Sequence, residues 1–124
     1  MTQEQMQQVE AAILQVTSDW AQANCDRDPN RMMRMFRNSE QLRFAENGMI
    51  FPSFGAYKDF VEGFYLATTD MHLEWKSRDI LPISPTAAVL TGLFEYRAVQ
   101  KSGEIFTGRN VITGIFLLDS RGWQ

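Results

Sequence analysis

The sequence predicts an α+β fold, with three helices in the N-terminal half packed in a strongly curved antiparallel sheet. Three observations carry this. Apolar residues recur at steps of three and four early in the chain, with clear cap and proline signals. Three long runs rich in aromatic and β-branched residues follow from Asp70 onward, joined by turn chemistry. Helices and strands are segregated along the chain rather than alternating, which argues against a doubly wound sheet. A curved sheet over helices makes a cup, and a cup lined by Trp, Phe and Tyr suits a small apolar molecule.

The first helix is expected from Thr2 to Asp26. Thr2 and Gln5 have capping-box spacing, and Met6, Val9, Ile13, Val16 and Trp20 form one apolar stripe between Gln and Glu residues. The stripe spans about two heptads, too short for a coiled coil, so a helix packed on a sheet is expected. Asp28-Pro29 restarts the chain as a second short helix, because Asp is a good N-cap and Pro at the first position loses no hydrogen bond. Met32, Met35 and Phe36 form its buried side. Leu42, Phe44 and Glu46 alternate with Arg43 and Ala45, a strand pattern that ends at the Asn47-Gly48 turn. Met49 to Phe54 reads as an apolar loop broken by Pro52, and Gly55 leads into a third helix. There Tyr57, Phe60, Val61, Phe64 and Tyr65 share a side. Strands are expected over Asp70 to Ile83, Thr86 to Gln100 and Glu104 to Leu118. Lys101-Ser102-Gly103 and Asp119-Ser120-Arg121-Gly122 are the turns.

A length of 124 residues fits one domain over 1–124, and 44% hydrophobic content is ordinary for a folded core. The net charge is −3 and the arginines are scattered; only Arg31 to Arg37 cluster, read as the wet face of a helix. Nucleic-acid binding is therefore disfavoured. Cys25 is the single cysteine, which excludes an internal disulfide and leans cytoplasmic. No apolar run is long enough to span a membrane, and Met1 to Gln5 lacks the start of a signal peptide. One His and no Cys pair offer no metal site, and no glycine-rich phosphate loop or other cofactor motif occurs.

Alternation sorts the strand faces. Leu90, Gly92, Phe94, Tyr96 and Ala98 are expected inward, as are Asn110, Ile112, Gly114, Phe116 and Leu118. Leu73, Trp75 and Ser77 are expected inward on the first long strand, with His72, Glu74, Lys76 and Arg78 outward. Val111, Thr113, Ile115 and Leu117 would then make an apolar outer face, which suggests a homodimer interface.

The segments Trp20 to Phe36 (WAQANCDRDPNRMMRMF), Gly55 to Tyr65 (GAYKDFVEGFY) and Val111 to Gln124 (VITGIFLLDSRGWQ) resemble the nuclear transport factor 2-like superfamily. Within it they are similar to the SnoaL-like and ketosteroid-isomerase-like domains. The resemblance implies a cone-shaped α+β barrel with a deep pocket, and often a dimer through the outer sheet face. It also implies a final pocket-lining strand beginning near Asp119, whereas this sequence stops at Gln124. The ketosteroid-isomerase roles, carried over position by position, fall on Trp20 for the Tyr donor, Phe44 for the base and Gly114 for the second donor. Neither Phe nor Gly can move a proton, so steroid-type isomerisation is not expected. Epoxide hydrolases of the superfamily use an Asp–Arg–Asp set, which Glu95 and Arg97 mimic in part, but on the outward face.

The chain is therefore expected to bind a small, mainly apolar organic ligand without a cofactor. Trp20, Phe36, Phe44, Phe60, Phe64, Trp75, Phe94 and Tyr96 are the candidate pocket residues. Glu46 is the candidate base, since a carboxylate at an apolar mouth has its pKa raised by desolvation; an exposed strand-end Glu is the plain alternative. Tyr65 and Asn110 are the candidate catalytic donors or orienters. The sequence leaves open whether any reaction is catalysed, and the rival reading is a non-catalytic dimeric binding or assembly module.

Overall fold

A computed structural model of the chain describes residues 1–39, 42, 44–46 and 48–124, Glu46 by its backbone only. Helix α1 spans Gln3–Cys25, capped by a complete Thr2–Gln5 capping box. Val9, Ile13, Trp20 and Ala23 are buried and Val16 is half-buried, whereas Met6, at the free end of the stripe, is exposed. Asp26 closes the helix, and Arg27 follows in the left-handed region at φ 53°. The amide of Arg27 donates to Asn24 O (3.1 Å) and that of Asp28 to Ala23 O (3.0 Å), the two bonds of a Schellman end. Asp28 then caps α2 (Pro29–Met33) by accepting from the Arg31 amide.

Strands β1 (Phe44–Glu46) and β2 (Met49–Phe51) pair as a small hairpin. The stretch expected as an apolar loop is thus a strand over its first half, where Met49-Ile50-Phe51 pairs with β1 before Pro52 ends the pairing. Gly48 takes φ 78° in the connecting turn; Asn47, like Arg43, lies outside the described residues. Helix α3 (Phe54–Ala67) starts at an N-cap Ser53, whose hydroxyl accepts from the Ala56 amide. It buries Tyr57, Val61 and Tyr65 but leaves Phe60 39% exposed.

The main sheet runs β3 (Thr68–Ser84), β4 (Ala87–Gln100), β5 (Ile105–Asp119) and β6 (Gly122–Trp123), all antiparallel. Inner and outer faces of β4 follow the expected alternation, and Asn110, Ile112, Gly114 and Phe116 are the more buried set of β5. Leu118, also expected inward, is 40% exposed where β5 leaves the core for the final turn.

On β3 the alternation changes sign. A register shift between Trp75 and Ser77 inserts an extra residue, so Ser77 is exposed and Arg78 points inward, the reverse of the simple period-two reading. Arg78 spans to α1, where its Nη1 donates to Leu14 O, Thr17 Oγ1 and Ser18 Oγ, and its guanidinium stands 5.7 Å from the centre of the Trp75 ring. Burial lowers its pKa from the usual arginine value.

The core lies between α1 and the inner face of β3 and β4. Trp20, Trp75 and Phe94 meet there with ring centres 5.3 to 5.5 Å apart. Trp75 Nε1 donates to Thr17 O at 2.9 Å. Gly92 makes room for this packing: a Cβ there would stand 2.5 Å from Trp75 Cζ3. Gly108 serves Tyr96, its cross-strand partner, in the same way.

Candidate functional site

The inner space is divided in two. A cavity of about 320 Å³ lies between α1, α3 and the half of the sheet next to the β4–β5 turn. A second, of about 550 Å³, lies between the segment after α2, β1 and the other half of β4 and β5.

Trp20 and Asn24, one turn apart on α1, form one wall of the first cavity. Helix α3 supplies Tyr57, Phe60, Phe64 and Tyr65 from turns facing the same way. Strands β3 and β4 close it with Met71, Leu73, Phe94 and Tyr96, and Phe106 and Thr107 stand at the rim. Phe60 and Phe106 are 39% and 40% exposed, which places the mouth between α3 and the β4–β5 turn.

The polar groups of this cavity are few and neutral. Tyr65 donates its hydroxyl hydrogen to Asn24 Oδ1 at 2.6 Å, and Asn24 Nδ2 donates to Trp20 O at 2.9 Å. Asn24 is 5% exposed, so this pair is a fixed polar patch in an aromatic wall. The Trp20 Nε1–H is shielded from solvent and has no acceptor among the described residues, so Trp20 offers the open space ring carbon rather than its N–H. No Asp, Glu, His, Lys or Arg lines this cavity among the described residues.

Of the residues expected in one pocket, Trp20, Phe60, Phe64, Tyr65, Phe94 and Tyr96 come together here. Phe36 and Phe44 face the second cavity, packed edge to face with ring centres 5.0 Å apart. Trp75 sits behind the wall, locked to α1 and Gly92. Asn110 is half-buried on the inner side of β5 and lines neither cavity. The Glu46 side chain lies outside the description; its backbone ends β1 opposite Met49.

Asn24 and Tyr57 are lining residues that sequence reasoning passed over. The signal for Asn24 was present, since it stands four residues after Trp20 and so on the same helix face.

Glu95 stays on the outer face, where the Arg109 guanidinium holds its carboxylate below the usual pKa, with help from Lys76. It cannot serve the interior. No group of three His, Cys, Asp or Glu residues able to hold a metal occurs among the described residues.

Helices in front of a curved antiparallel sheet, with the cavity between them, define the cone fold of the nuclear transport factor 2-like superfamily. Solved structures carry the same arrangement at low identity. A superfamily protein from Salmonella enterica serovar Typhimurium superposes with TM-score 0.85 at 14% identity, over 96% of this chain and 87% of its own. A scytalone dehydratase candidate from Novosphingobium aromaticivorans gives 0.82 at 16% identity, over 99% and 83%. A hexachlorocyclohexane dehydrochlorinase (LinA Type2) gives 0.80 at 11% identity, over 99% and 84%. These likenesses establish the fold, and it is a fold that hosts enzymes acting on small organic molecules. No protein-family model and no curated protein matches the chain.

Proposed function

We propose that the chain, acting as one domain over 1–124, binds a small, uncharged, mainly apolar organic molecule in the cavity between α1, α3 and the sheet. The neutrality of the lining carries this reading. Aromatic walls reward apolar surface, the Asn24–Tyr65 pair can orient one polar group, and a buried charge would find no counter-ion among the described lining residues. A volume near 320 Å³ is at the small end of ligand sites, which favours a compact ring compound. Structures of this fold named for dehydration and dehydrochlorination add weight to small-molecule chemistry. The described lining offers hydroxyls and an amide, groups that orient rather than abstract protons; Glu46, on β1 and with its side chain outside the described residues, is kept as the proposed base on its place in the sequence pattern. The free thiol of Cys25 suits a reducing, cytoplasmic setting.

Native mass spectrometry of the purified protein, followed by thermal shift against neutral and charged aromatic compounds, tests the reading. A retained neutral adduct, or a shift confined to neutral compounds, is the expected result. Phe64→Ala, at the half-buried wall, should weaken that binding about tenfold. Absence of any adduct or shift, or a preference for charged compounds, would sink the proposal.

A second reading concerns assembly and rests on the outer sheet face. Cross-strand register aligns Leu81, Val89 and Ile115 in one outward row and Leu93 with Val111 in another. Ile115 is 71% exposed, Val111 66% and Leu81 61%, an apolar surface of the kind that seeks a partner. We propose a homodimer through these rows. Ile115→Asp should convert the dimer to monomer in light scattering while leaving the fold intact; an unchanged mass would reject the interface.

A further inference from the structure

A third opening lies on the far side of Trp20, between α1, the end of α2 and the β5–β6 turn. It is a cleft of about 330 Å³. Its floor is apolar, from Val16, Trp20 and Met35, and the half-buried Trp123 forms one side. Arg31, Arg34 and Arg121 line it, which gives two arginines of the Arg31–Arg37 cluster a place in the fold.

The arginines are not equally engaged. Arg31 is committed to two aspartates: its Nε donates to Asp19 Oδ1 at 3.0 Å and its Nη1 to Asp26 Oδ2 at 2.9 Å. Arg37 and Arg121 share a single carboxylate, Asp119, at 3.1 and 3.0 Å. The Arg34 guanidinium has no ion pair or hydrogen bond among the described residues, and it lines the cleft together with Arg121. Arg34 is thus the guanidinium of this cluster that no carboxylate partners among the described residues.

We infer that this cleft is a second, separate site, for a flat organic monoanion such as an aryl carboxylate. The carboxylate would sit between Arg34 and Arg121, where planar guanidiniums match its two oxygens, and the ring would lie on the apolar floor against Trp123. One guanidinium without a carboxylate partner matches one anionic group. The wall chemistry is the reverse of the neutral cavity on the other side of Trp20, so the two openings select different molecules.

Benzoate and its neutral isostere benzamide separate charge from shape. In amide-resolved NMR titrations of the full chain, benzoate should shift the Trp123 indole N–H and the Gly122 amide saturably in the low-millimolar range. Benzamide should leave them in place. Arg34→Gln removes a side chain that holds no partner among the described residues, so the variant's spectrum should keep its dispersion while benzoate affinity falls about tenfold. The assignment is overturned if benzoate gives no saturable shift at these resonances. It is equally overturned if benzamide matches benzoate, or if Arg34→Gln binds as the parent does.

Discussion

At the scale of single residues, Arg27 shows a local cost accepted for a long-range tie. A non-glycine residue in the left-handed region costs on the order of 1 kcal/mol, and the position after a helix end is usually glycine. Arg27 stays because its guanidinium donates to the carbonyl of Thr68, the first residue of β3, and so joins the end of α1 to the start of the sheet. Arg27→Ala keeps the strain and loses the bond, and should destabilise by about 1 kcal/mol in urea unfolding. Arg27→Gly loses the bond but removes the strain, and should fall close to the parent. If alanine proves the milder change, the backbone argument is wrong. Asn24, three residues earlier, illustrates what single-residue reading misses. An amide on an apolar stripe looks like the edge of the wet face, and only the approach of Tyr65 from α3 turns it into a buried hydrogen-bonding patch.

At the scale of elements, boundaries were legible wherever a local signal sets them. The Thr2–Gln5 box, Asp28-Pro29 and Lys101-Ser102-Gly103 each act within a few residues, so no tertiary knowledge is needed. The Met49–Phe51 strand was not legible, because a three-residue strand exists only through its partner β1. Nor was the sign change on β3, since a bulge leaves no mark in the alternation until cross-strand pairing is known. The contact between Trp75 and Gly92 gives a test of the packing at this bulge. Gly92→Ala should destabilise by about 1–3 kcal/mol, because the new methyl group must displace an indole locked to Thr17. Gly63→Ala, in the middle of α3 with open space around it, should instead stabilise by about 0.5–1 kcal/mol. Chemical denaturation of the two variants side by side distinguishes them, and equal effects would mean that helix propensity and packing have been misassigned.

At the scale of the whole molecule, the cone was legible from element order, but its inner partition was not. Aromatic residues that share inward faces on paper divide between two cavities, with Phe36 and Phe44 drawn to the β1 side and Phe60 and Phe64 to the α3 side. Which way each ring falls depends on how α3 lies across the sheet, and no pattern within one element encodes that. The outer face carries its own division. The apolar rows back the half of the sheet away from the β4–β5 turn, while Glu74, Lys76, Glu95 and Arg109 form a network of exposed ion pairs on the half behind the neutral cavity. Pairs of that kind add little to stability. Their placement has a thermodynamic consequence. In the proposed dimer a second copy on the apolar rows would meet outward side chains of β3, β4 and β5, on the face of the sheet opposite the neutral cavity. Any linkage between the proposed association and the proposed ligand binding would then run through the sheet that both use, and ligand affinity measured across a dilution series reads that coupling directly.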